Sequence, residues 1–183
     1  YGINRGKGVL ISGTVWAPVD CGYHETDYKY GKLYQWGRRF GQGYDGELCD
    51  GYDEYKIGTY KDAITPNVVS AGELSYGWFG QLEENANNFY YMGYNWFSSG
   101  PDNLWNSGTE ENPQKTNYDP CPAGWRVPTF TELEGLCTDN IFYTKNEDGI
   151  RGCWLSGDVK YDETAPRVFF PMAGIRYFTT ASK

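Results

Sequence analysis

His24 is the only histidine in the chain, so any Ser-His-Asp or Cys-His arrangement would have to use it. A zinc site built on two histidines is excluded within one chain for the same reason. His24 stands in the polar run CGYHETDYKY, where a surface or hydrogen-bonded loop role fits better than a catalytic one. The cysteines, Cys21, Cys49, Cys121, Cys137 and Cys153, include no C-x-x-C pair, which argues further against zinc. In an exported protein they could form one or two bridges with one thiol left over. In a chain of this length they could equally stand as buried, unpaired apolar side chains. Asp45, Glu47, Asp50, Asp53 and Glu54 cluster around Gly46 and Gly51. Calcium, which takes roughly six to eight oxygen ligands, is the cation such a cluster would hold. The spacing does not fit an EF-hand, and a solvated acidic loop is the preferred reading. No catalytic residue, metal ligand or cofactor is therefore expected, with calcium as the alternative.

Binding is better provided for than catalysis. The chain carries 17 Tyr, 9 Phe and 7 Trp, yet its mean hydropathy is -0.67, so rings rather than aliphatic side chains supply its apolar mass. Tyr and Trp suit half-buried loops and binding surfaces because one end is apolar and the other polar. The rings concentrate in residues 42–117, in Trp78-Phe79, Phe89-Tyr90-Tyr91 and Tyr94-Asn95-Trp96-Phe97. Trp78, Tyr90, Tyr91, Tyr94, Trp96 and Trp105 are the candidate ligand-binding residues, able to stack on sugar faces or anchor a protein interface. The competing role is to pack this stretch onto the core. Trp16, Trp36 and Trp125 lie in regular motifs and are expected in the core.

Net charge is -8, and residues 42–117 hold 12 acidic side chains against 3 basic ones, so all of the excess acidity sits there. Such a surface repels phosphate, which makes nucleic acid an unsuitable partner. No apolar run approaches the roughly 20 residues of a membrane span.

The elements that must position these residues are short. GVLISGTVWAPV reads as a strand, a turn and a second strand. In GKLYQWGRRFG, Leu33, Trp36, Gly37 and Phe40 fall on one face at helical spacing, so a helix is expected there, stopped by Gly41 and Gly43. Residues 42–117 hold no period for long and read as an ordered, loop-rich insertion with a few short strands. Asp119-Pro120 and Cys121-Pro122-Ala123-Gly124 make a rigid turn, and Pro128 keeps Val127 extended. Thr129 is placed to cap a second helix, with Glu132 completing a capping box and Phe130, Leu133, Leu136 and Cys137 as its buried stripe. Gly152-Cys153-Trp154-Leu155 and Val168-Phe169-Phe170-Pro171-Met172 read as strands.

The run DPCPAGWRVPTFTELEGL, residues 119–136, resembles the signature of the Fibrobacter major paralogous domain family of bacterial surface proteins. VWAPVDCGY, YGKLYQWGRRFGQGY and RVFFPMAGIRYF resemble that family's first strand, first helix and late strand, in the same order. The resemblance implies an α+β, C-type-lectin-like fold: a twisted antiparallel sheet, two helices and long loops on one side. It implies one domain over residues 1–183 with an insertion at 42–117. It also implies further strands beyond Lys183, so the chain is expected to be incomplete at its C-terminus. The Glu-Pro-Asn or Gln-Pro-Asp tripeptides of calcium-dependent lectins are absent, and Cys137 and Cys153 stand outside the context of the paired cysteines of formylglycine-generating enzymes.

The expected function is a non-catalytic ligand-binding or adhesion module of a secreted, surface-anchored or fimbrial bacterial protein. Its partner would be a glycan or a host or bacterial surface protein, with other pilus subunits as a further possibility. A structural pilus-tip or phage-fibre domain and an enzyme of the formylglycine-generating type are the alternatives.

Overall fold

The computed structural model describes residues 7–26, 28–42, 67–70, 80–86, 88–91, 102–138, 140–145, 149–160 and 162–173. These form an α+β arrangement of short strands and, among the described residues, one α-helix. Strand β1 (Val9–Ile11) pairs antiparallel with β2 (Thr14–Trp16) in the register Val9↔Trp16, Leu10↔Val15, Ile11↔Thr14. The turn between them takes φ 48° at Ser12 and 84° at Gly13. Two consecutive positive φ values match the right-handed twist of a tight hairpin, and Gly13 reaches that region without a Cβ penalty. Strand alternation then puts Ile11 and Trp16 inward, at 4% and 7% exposure.

The expected helix over GKLYQWGRRFG does not form. Its residues make β3 (Leu33–Tyr34) and β4 (Gly41–Gln42), an antiparallel pair. Gly31 and Gly37 have φ 76° and 80°, which bends the chain out of the right-handed helical region. The burial also departs from the expected stripe: Gly37 is buried and Leu33 and Phe40 are half-buried, but Trp36 is 37% exposed while Arg38 is 1% exposed. Trp36 therefore does not join the core.

Two pieces of the insertion are strands, β5 (Asn67–Ser70) and β6 (Asn88–Tyr91), and they pair parallel. With this pair and three antiparallel groupings, the described strands form four small sheets rather than one antiparallel sheet. The largest has order β7-β8-β9, from β7 (Ile141–Lys145), β8 (Arg151–Leu155) and β9 (Val168–Pro171), all antiparallel. β8 and β9 fall on the segments that the sequence marks as strands.

Helix α1 (Phe130–Leu136) begins as the sequence predicts. The Thr129 side chain accepts from the Glu132 amide, and the Glu132 carboxylate accepts from the Thr129 amide at 2.8 Å. The expected buried stripe is only half present. Leu136 is 1% exposed and Leu133 packs on the core, but Phe130 is 67% exposed and Cys137 is exposed too. A helix of two turns has one narrow inner face, and Leu133 and Leu136 occupy it. The core joins this face to the hairpin and the three-stranded sheet: Ile11, Trp16, Leu136, Leu155 and Val168, with Val9, Leu133, Cys153 and Phe170 around them. Trp16 meets Phe170 edge-on, with ring centroids 6.3 Å apart.

No helix among the described residues is long and apolar enough to cross a membrane.

Candidate functional site: an aromatic cleft beside the hairpin

The segment after the insertion is held by two carboxylates. Asp119 has no side-chain exposure. One of its oxygens accepts from the Cys121 amide at 2.8 Å and pairs with Lys115 Nζ at 2.7 Å. The other accepts from the Val127 amide at 2.9 Å. One side chain thus closes the whole loop, and Lys115 also donates to the Cys121 carbonyl at 2.7 Å. Glu132 performs the second clamp. Beyond capping α1 it takes Arg126 in a two-pronged pair, at 2.7 and 2.5 Å. The guanidinium holds the Glu132 carboxyl below its ordinary range, against a smaller opposing effect of burial. Thr14, at the hairpin turn, donates to the same carboxylate at 3.5 Å, so the loop, the helix and the hairpin meet at Glu132.

Between the clamped loop and the hairpin lies a cleft of about 1030 Å³. Residues 13–22 form one wall and residues 120–128 another, with Tyr34, Trp105, Glu132 and Phe170 completing it. Five rings line it: Trp16, Tyr34, Trp105, Trp125 and Phe170. Gly8 permits the close approach of one of them, because a Cβ there would lie 2.6 Å from the Trp125 ring. Trp125 is accordingly half-buried at the cleft wall rather than enclosed in the core. Charged groups sit among the rings: Lys7, Asp20, Arg126 and Glu132. Burial pushes the Asp20 carboxyl up to about 7, and neighbouring Cys21 adds to the shift. At neutral pH Asp20 therefore exists in both forms, able to donate as well as accept a hydrogen bond. Apolar ring faces with a few convergent polar groups are the usual make-up of a small-ligand site.

The candidate ligand-binding residues divide. Trp105 lines the cleft, its Nε1 anchored on the Arg38 carbonyl at 3.1 Å. Tyr90 is 3% exposed, and its ring lies 5.0 Å from the Arg38 guanidinium, a packing position inside the protein. Trp78, Tyr94, Trp96 and the ring of Tyr91 lie outside the described residues, as does the acidic cluster from Asp45 to Glu54. His24 Nδ1 is 3.1 Å from Thr26 Oγ1, within its own turn. Among the described residues no group of three or more His, Cys, Asp or Glu side chains is placed to hold a metal ion.

Sequence reasoning missed Asp20, Tyr34 and Arg38. Arg38 donates to the carbonyls of Gly80, Asn88 and Asn85 at 2.9, 2.6 and 2.9 Å, and to Gln35 Oε1 at 3.1 Å. Gln35 in turn pairs with the Tyr90 backbone in both directions, at 2.7 and 3.0 Å. Arg38 thereby ties the insertion to the frame and, through its own carbonyl, positions Trp105. Nothing local in the sequence signals these partners. The family models, the curated proteins and the solved structures provide no match to this chain.

Proposed function

We propose that this chain is a non-catalytic carbohydrate-binding module of a secreted or surface-anchored bacterial protein, and that the aromatic cleft is its binding site. The carrying observation is the association of five rings with Lys7, Asp20, Arg126 and Glu132 around one concave space. A pyranose presents a C–H face to a ring and hydroxyls to charged groups at its edge, and these walls offer both. A volume of about 1030 Å³ suits a short oligosaccharide better than a protein surface, which needs a broad contact of at least roughly 1,000 Å². The resemblance to the Fibrobacter major paralogous domains is carried by residues 119–136, the loop and capped helix that form one side of the cleft, and it agrees with a binding role.

A glycan array probed with the whole chain tests the proposal. Binding to a family of related glycans is expected, with the signal lost on Trp125→Ala. An empty array, or a signal that Trp125→Ala leaves intact, would overturn it.

A further inference from the structure

We propose that Cys21 and Cys121 are a disulfide-forming pair, a covalent staple between the two walls of the cleft. The inference stands independently of what the cleft binds. Cys21 follows the hairpin and Cys121 sits in the clamped loop, 100 residues later, and both line the cleft. Cys21 Sγ lies 3.2 Å from the carbonyl of Pro120, the residue bonded to Cys121, and 3.3 Å from the Tyr34 hydroxyl. The two thiols lie near enough for each to shift the titration of the other. The Cys121 backbone is fixed by Asp119 and Lys115, and the Cys21 carbonyl accepts from the Lys32 amide at 3.0 Å, so both cysteines are placed by backbone contacts that do not involve sulfur.

The surroundings also bear on how the two thiols ionise. The neighbouring Cys121 thiol, then the Tyr34 hydroxyl and the Lys115 charge, bring Cys21 down to about 7, against burial and the Asp119 charge. Cys121 is shifted upward, first by Cys21 and then by burial. Either sulfur can attack once it has lost its proton, because only the thiolate is nucleophilic, and the exchange balances from Cys21 as it does from Cys121. The oxidant is an external disulfide, either oxidised glutathione or the disulfide of a thiol oxidoreductase. Cys21 sulfur attacks it, forms a mixed disulfide and expels one thiolate, which takes the Cys121 proton. Cys121 sulfur then attacks Cys21 Sγ and expels the second thiolate, which takes up the proton that Cys21 gave to solvent. Two protein thiols are oxidised, and one external disulfide is reduced to two thiols.

Trypsin cuts this sequence into peptides 8–29 and 116–126, each holding one of the two cysteines. After the native chain is equilibrated with oxidised glutathione and blocked with an alkylating reagent, the non-reduced digest is expected to contain these peptides joined and lighter by two hydrogens. Reduction is expected to lower Tm by about 10 °C, since a loop this long constrains the unfolded chain strongly. The Cys21→Ser/Cys121→Ser double variant is expected to show no such reductant-dependent shift. The proposal is overturned if both peptides carry the alkylating label, if either cysteine is joined to Cys49, Cys137 or Cys153, or if Cys21 stops at a glutathione adduct.

Discussion

Two internal charges hold this molecule together in different ways. Asp119 is paired with a cation and with amides no more than eight residues away. Arg38 is satisfied largely by neutral carbonyls, and those partners lie 42 to 50 residues away along the chain. The first clamp shapes a loop. The second fastens one part of the chain to another, and it has to desolvate a guanidinium to do so. Burial accordingly draws Arg38 down to about 10, which leaves it charged throughout the neutral and acid range.

The largest effect is expected at Arg38. Arg38→Ala leaves several buried acceptors without a donor and opens a cavity, at a cost of about 4 kcal/mol in urea unfolding. Arg38→Lys is expected to recover little of it, because an ammonium does not reproduce the planar fan of donors. Asp119→Ala follows at about 3 kcal/mol, since it leaves two amides without an acceptor and removes the carboxylate partner of Lys115. Here the conservative change differs: Asp119→Asn keeps a carbonyl acceptor and is expected to restore a substantial part. If Arg38→Lys proves as benign as Asp119→Asn, the distinction between a fanned and a local clamp fails.

Acid separates the two regions further. The Glu132 carboxyl is held below its usual value, so its contribution is complete above that value and is lost as pH falls through the folded one. The clamped loop should therefore loosen in acid while Arg38 keeps its proton. Amide exchange followed from pH 6 down to pH 3 would show protection falling at Thr129 before it falls at Tyr90.

A smaller effect comes from Asp20. Its folded value is raised to about 7 while the unfolded value stays near 3.8, so between those limits only the folded chain holds the proton. Stability then declines as pH rises through that window, by at most about 1.4 kcal/mol per pH unit, and by less because Asp20 keeps part of its surface in solvent. Asp20→Asn should remove the slope. A chemical-denaturation series from pH 4 to pH 8 that shows the same slope in both proteins would contradict this.

The same contrast governs what could be read in the sequence. Thr129, Glu132 and the Pro-Gly turn act over three to eight residues, and their spacing alone placed α1 and the clamped loop. The alternation around Val9 and Trp16 similarly marked the hairpin. The Leu33, Trp36 and Phe40 spacing misled, because Gly31 and Gly37 set the backbone there and the large side chain that is buried is that of Arg38 rather than Trp36. Long-range satisfaction of one guanidinium leaves no local pattern. The candidate site was legible only through Trp105: its other walls are assembled from Gly8, Asp20, Tyr34 and Trp125, which come together only in three dimensions.

The central claim is that the cleft binds carbohydrate, and calorimetric titration of the best array glycan into the wild-type chain and Trp125→Ala tests it most directly. A saturable isotherm is expected, with Kd raised about 30-fold in the variant, the roughly 2 kcal/mol of an aromatic anchor. Equal affinity in two folded proteins would contradict the claim.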